Sequence, residues 1–313
     1  MKHFLTLRDY QQADIIEIIK LAIAIKKDYK ENKERNDMHK KILGMIFEKN
    51  STRTRVSFEA GIYQLGGNGI FLSGKEIQLS RGESIADTAR VISSMVDMIM
   101  IRTFEHERLE EFAKFSHVPV INGLSDLYHP VQVIADYLTM IENGIFVKGS
   151  FDAAYKQDPR VVYVGDGNNM THSWLLLAAI MGFEINVACP RGYMPKQEIL
   201  EYAQKISTKD IRIYEDPNEA IRGCNVVVTD TWVSMGQEEQ KEEKKKIFKD
   251  YCIDCAKMEL ADKEAIFLHC LPAYRGQEVS EEVLEGRQSR VFQEAENRLH
   301  AQKGIMVWLN KQS

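Results

Sequence analysis

Residues 41–66, KILGMIFEKNSTRTRVSFEAGIYQLG, decide how the rest of the chain is read. Lys41–Phe47 is a short apolar run, the pattern of a strand buried on both faces. From Thr52 onward the apolar positions recur at helical spacing, with Ser51 at the junction as an N-cap. A buried strand that turns through a hydroxyl-rich, doubly basic step into a helix is a βα unit with an anion site at its turn. Free backbone N–H groups and the helix dipole favour a phosphate there, and Arg53 and Arg55 can add bidentate hydrogen bonds. A capping serine followed by a solvated basic turn has the same local pattern, so this stretch alone leaves both readings open.

Outward from this unit the alternation continues. Ile15–Ile25, interrupted by Glu17 and Lys20, reads as an amphipathic helix. Asn68–Leu72, Met98–Ile101 and Val118–Ile121 read as strands, and Ser84–Met95 and Pro130–Met140 as helices. A second series opens with the strand Arg160–Val164. Helices from about Thr171 to Met181 and over Pro195–Ile206 then alternate with strands Glu184–Ala188, Ile211–Tyr214, Val226–Thr229 and Ile266–His269. This order predicts an α/β protein of two doubly wound domains with parallel central sheets. One covers residues 1–140, with the C-terminal helix 294–313 packing back on it, and the other residues 141–293. In such sheets ligands sit beyond the carboxyl ends of strands. Ser51, Arg102, Asn168, Asn169, Asp230 and Cys270 all follow predicted strands directly or within a few residues.

Composition narrows the class. The 313 residues are 44% hydrophobic and 28% charged, with a formal net charge of −5, which favours no nucleic acid partner. No stretch approaches the roughly 20 apolar residues that span a bilayer, and no signal-peptide pattern opens the chain, so no membrane partner and a cytoplasmic location are expected. The five cysteines include a Cys252-x-x-Cys255 pair that lacks the second ligand pair of a zinc site.

Four further motifs carry chemistry. His129-Pro130-Val131-Gln132 places an imidazole and an amide near a helix start, where a histidine either caps or donates to a carbonyl. Gly165-Asp166-Gly167-Asn168-Asn169 invites a dinucleotide reading, but Met170 stands where the third glycine belongs, and the next strand ends in Cys189-Pro190 rather than an acid for a ribose. Its asparagines suit a carboxylate and an α-amino group instead. In Asp230-Thr231-Trp232-Val233-Ser234-Met235-Gly236 the acid can hold an ammonium, and the charged run after it, Gln237–Lys249, reads as a solvated helix or loop. Cys270, in His269-Cys270-Leu271-Pro272-Ala273, is either a thiol that orients an amine or a small buried hydrophobe.

Phe47-x-x-x-Ser51-Thr52-Arg53-Thr54-Arg55-x-Ser57-Phe58-Glu59 resembles the carbamoyl phosphate signature of the aspartate and ornithine carbamoyltransferases. His129-Pro130-x-Gln132 and His269-Cys270-Leu271-Pro272-Ala273 resemble further signatures of that family, and the likeness runs from about residue 5 to the C-terminus. The Ser234-Met235-Gly236 step and Cys270 resemble its ornithine branch. The resemblance implies transfer of a carbamoyl group from carbamoyl phosphate to the side-chain amine of L-ornithine, giving L-citrulline and phosphate. It implies that Ser51, Thr52, Arg53, Thr54, Arg102, His129 and Gln132 bind carbamoyl phosphate, closed over by Cys270, the Leu271 backbone and Arg298. Gln78 would reach in from a neighbouring subunit of a homotrimer. Asn169, Asp230, Ser234 and Met235 would bind ornithine. Arg102, His129, Asp230 and Cys270 would serve the chemistry, with no metal or other cofactor. Another acceptor such as putrescine, a non-catalytic ligand-binding paralogue and a nicotinamide dehydrogenase are the competing readings.

Overall fold

The computed structural model describes residues 1–77, 82–145, 159–233, 239 and 241–312. The chain divides into two compact units, residues 1–138 with 296–313, and residues 139–295. The divisions fall inside helices α5 (Pro130–Glu142) and α12 (Val291–Lys311).

The first unit carries α1 (Gln12–Lys30), β1 (Ile42–Phe47), α2 (Thr52–Gln64), β2 (Asn68–Ser73), α3 (Ile85–Ser93), β3 (Met98–Arg102), α4 (His106–Phe115) and β4 (Val120–Leu124). Its four described strands are parallel, in the order β2-β1-β3-β4. Central strands β1 and β3 are buried almost throughout, which is why they read as unbroken apolar runs, whereas edge strand β2 is partly exposed. Each fully buried Ile or Leu in such a core contributes about 1.5–3 kcal/mol. In α1, Ile15, Ile18, Ile19, Ala22 and Ile25 form the buried stripe expected of an amphipathic helix. Helix α4 was not anticipated. Its apolar positions are Leu109, Phe112, Ala113 and the terminal Phe115, set among charges.

The second unit carries β5 (Arg160–Val164), α6 (Asn169–Met181), β6 (Glu184–Ala188), α7 (Gln197–Ile206), β7 (Ile211–Tyr214), α8 (Pro217–Ile221), β8 (Val226–Thr229), α9 (Lys241–Ile247), α10 (Cys255–Leu260), β9 (Ile266–His269) and α11 (Glu281–Leu284). Its five described strands are also parallel, ordered β7-β6-β5-β8-β9.

Both sheets reverse their winding once, between β1 and β3 in the first unit and between β5 and β8 in the second. The crevice at the carboxyl end of a reversal point is where doubly wound sheets take ligands. Ser51 and Arg102 stand at the first reversal, and Asp166–Asn169 and Asp230 at the second. Among the described residues no helix is long and apolar enough to cross a membrane.

Candidate active site

In the first unit the βα turn after β1 folds as its sequence predicts. Ser51 caps α2, its Oγ accepting from the Thr54 N–H at 3.2 Å. The buried Thr54 hydroxyl is the hub of this site. It accepts from Ser51 Oγ at 3.0 Å and from Arg298 Nη2 at 2.8 Å, with Arg102 Nη1 at 3.5 Å. Arg102 reaches it from the last position of β3 and Arg298 from α12, and both guanidiniums are almost wholly buried. Desolvated cations that converge on a neutral hydroxyl at a helix N-terminus suit an incoming anion.

The two arginines of the turn have different surroundings. Arg55 is exposed, donates to Glu59 at 3.2 Å and lies over the Phe71 ring. Arg53 is half-buried and has no ion-pair partner among the described residues, so it is the one available to a ligand. Thr52, at the first position of α2, is exposed.

His129 lies on the loop between β4 and α5, which Ser125 holds by accepting from the Tyr128 N–H and pairing with His106 Nδ1 at 2.9 Å. Burial pushes the His129 imidazole well below its ordinary pKa, and the positive charges of Arg298 and Arg102 push it further. The ring is therefore neutral near pH 7 and has one N–H to donate. Gln132 is buried one turn into α5 and donates to Asp136 at 2.8 Å.

In the second unit, Asp230 after β8 and Cys270 after β9 meet: the thiol donates to Asp230 Oδ1 at 3.0 Å, and the Thr231 N–H donates to the same oxygen at 2.7 Å. Burial raises the Asp230 carboxyl above the usual range, against the opposing effects of His269, the thiol and the Thr231 N–H. Asp230, His269 and Cys270 offer ligand atoms within 4.8 Å of one another, a spacing open to a metal ion. His269 is already committed, however. Its Nδ1 accepts from the Leu271 N–H at 2.9 Å and its Nε2 faces the buried Glu278 at 3.2 Å. That leaves one thiol and one carboxylate, fewer than the ligand set of a structural or catalytic zinc site. Leu271 sits at φ 56° and continues the turn.

Asn168 and Asn169 have distinct surroundings. Asn168 caps α6, its Oδ1 accepting from the Met170 N–H at 3.0 Å, while its buried Nδ2 has no partner among the described residues. Asn169 opens the helix, nearly buried, with its carbonyl accepting from Ser173 Oγ. Gln78, Ser234 and Met235 lie outside the described residues.

One expectation is corrected. The charged run Gln237–Lys249 is not simply solvated: Lys244, on α9, is 2% exposed, and its Nζ meets Asp166 Oδ2 at 2.6 Å. Average charge hides a single inward-facing lysine. The role of Glu278 behind His269 also went unread, since nothing in the local pattern around it signals burial.

Residues 2–142 match the profile "Aspartate/ornithine carbamoyltransferase, carbamoyl-P binding domain" and residues 157–309 the companion "Asp/Orn binding domain". An ornithine carbamoyltransferase of Wolinella succinogenes is 62% identical over 99% of both chains, and one of Helicobacter hepaticus is 60% identical over 99% of this chain and 96% of the other. The crystal structure of an anabolic ornithine carbamoyltransferase from Campylobacter jejuni superposes with a TM-score of 0.93, at 48% identity over 100% of each chain. The solved structure of an ornithine carbamoyltransferase from Pyrococcus furiosus superposes at 0.92, with 41% identity over 97% of this chain and 96% of the other.

Proposed function

The chain belongs to the aspartate/ornithine carbamoyltransferase family, and on that premise we propose that it transfers the carbamoyl group of carbamoyl phosphate to the side-chain amine of L-ornithine, giving L-citrulline and phosphate. The observation that carries the acceptor side is the Cys270 thiol donating to Asp230 at the ends of neighbouring strands, a pairing suited to an amine that must lose a proton.

The first unit holds carbamoyl phosphate. Ser51, Thr52, Arg53 and Thr54 bind its phosphate at the start of α2, and Arg102, Gln132 and Arg298 complete the site. Neutralising the phosphate makes it a better leaving group. Thr54, Arg102 and neutral His129 direct donors at the carbonyl oxygen, where charge develops on attack. The second unit holds ornithine through Asn169, Asp230, Ser234 and Met235. The amine must be neutral to attack, while an alkyl amine of this type has a pKa of about 10.4 in water. A buried carboxylate that binds a proton more readily than usual eases that loss, with Cys270 orienting the same oxygen. Attack gives a tetrahedral intermediate, and its collapse expels phosphate.

We place this reaction in arginine metabolism in the cytoplasm. The assembly we infer is a homotrimer in which Gln78 of a neighbouring subunit completes each site; light scattering giving three chains per particle supports it, and a monomer sinks it. The acceptor is tested by ureido-product formation from carbamoyl phosphate with L-ornithine, putrescine, L-aspartate and N-acetylornithine. Strong preference for ornithine is expected. Preference for putrescine overturns the acceptor half, and no product with any amine overturns the whole reading.

A further inference from the structure

Lys244 is a buried cation on a helix whose composition looks solvated. Its ion pair with Asp166 joins α9 to the turn that follows β5, and Nζ also lies 5.4 Å from the centre of the Tyr193 ring. Removing both charges from water is costly, so such a pair informs chiefly through what it holds in place.

Here it holds the turn that carries the two asparagines. The Asp166 carbonyl accepts from the Asn168 N–H at 2.8 Å and from Thr171 Oγ1 at 2.7 Å, so this residue organises the first turn of α6. Gly167 donates to the Tyr193 carbonyl at 2.8 Å, and a Cβ at Gly167 would lie 2.3 Å from the backbone of Met194 and Pro195. The turn is thus clamped between the 193–195 segment and Lys244. On its other side α9 is tied to the turn after β8, because Phe248, which follows the helix, stacks on Trp232 at 5.7 Å. One short helix therefore links the strand end bearing Asn168 and Asn169 with the strand end bearing Asp230.

We propose that Lys244 is a positioning residue for the acceptor: through Asp166 it fixes Asn168 and Asn169 in the geometry that receives the amino-acid end of the acceptor. This rests on the reading of the second unit as the acceptor half. The pair acts on acceptor affinity and leaves carbamoyl phosphate binding alone.

The test is steady-state kinetics on the full-length enzyme for Lys244→Met and Lys244→Arg, with KM for ornithine and for carbamoyl phosphate measured separately, alongside thermal melting. For Lys244→Met the ornithine KM rises about 10- to 100-fold while the carbamoyl phosphate KM stays near wild type. Lys244→Arg restores most of the ornithine affinity, which a general loss of stability does not explain. If Lys244→Met fails to fold, the double variant D166N/K244M, which leaves no charge unpaired, carries the same KM comparison. An unchanged ornithine KM in a folded variant, an equal rise for both substrates, or an arginine variant as impaired as the methionine one overturns the proposal. Failure of the wild-type enzyme to use ornithine is a separate result, and overturns the acceptor assignment instead.

Discussion

Replacing Thr54 by valine removes one hydroxyl and almost no volume. Thr54 is fully buried, so the isosteric change opens no cavity and the effect is electrostatic. The hydroxyl oxygen accepts from Arg298 at 2.8 Å, a good hydrogen bond from a charged donor, and from Arg102 at 3.5 Å, too long to count for much. A hydrogen bond to a charged group contributes about 1.5–3 kcal/mol, and a buried guanidinium left without it bears that cost. The expected loss is about 2 kcal/mol in the free enzyme, which for a unit of this size lowers the melting temperature by about 4–8 °C. Turnover suffers by a second route. The same hydroxyl is assigned as a donor to the carbonyl oxygen, and loss of one such donor lowers kcat about 100- to 1,000-fold. Calorimetry of the free enzyme and steady-state assays at saturating substrates read the two effects separately, and Thr54→Ser, which keeps the hydroxyl, retains most of both. A valine variant with unchanged melting temperature and unchanged kcat would refute the reading of Thr54 as the hub.

Three other outcomes are expected. Arg53→Ala removes charge-assisted bonds to the phosphate, so KM for carbamoyl phosphate rises about 10- to 100-fold with little change in stability; initial-rate kinetics check this. Asp230→Asn keeps the shape of the second site but cannot take a proton: kcat falls about 100-fold or more with ornithine while carbamoyl phosphate binding, followed by calorimetry, holds. Lys303, buried against Gln64 and the Tyr29 ring, has its pKa lowered from 10.5 to about 8, first by burial and then by Arg35. The unfolded chain binds the proton more tightly, so a cost of at most about 3 kcal/mol is present below pH 8 and disappears as pH rises towards 10.5. Denaturation at several pH values should show the wild type gaining on Lys303→Met across that window; parallel curves contradict it.

Much of the fold was legible because strands buried in parallel sheets read as plain apolar runs. All nine strands among the described residues coincide, within a few residues, with runs such as Arg160–Val164 and Val226–Thr229. Strand order was not legible, because pairing across a sheet leaves no local trace, and the reversal points beside both candidate half-sites appeared only in three dimensions. Site residues divide in the same way. Ser51 announces itself as a cap before a helix, whereas the meeting of Arg298 with Thr54 spans most of the chain, and only family resemblance suggested it beforehand. Lys244 was hidden by its neighbours: in a run of lysines and glutamates, nothing but packing singles out the one that turns inward.

The cap on α6 has a consequence for selectivity. An asparagine amide ordinarily rotates to present either its oxygen or its nitrogen, but the oxygen of Asn168 is engaged by the Met170 N–H. Its orientation is locked, and only the –NH2 end remains to be offered. A group that reaches this buried amide meets a donor with no complementary acceptor mode. A carboxylate satisfies it, whereas a second ammonium, as at the far end of a diamine, leaves it as unmet as it is in the free protein, so the discrimination is the bond that a carboxylate gains. On the proposed function the helix cap acts as a polarity filter, and altering that preference means rebuilding the start of a core helix.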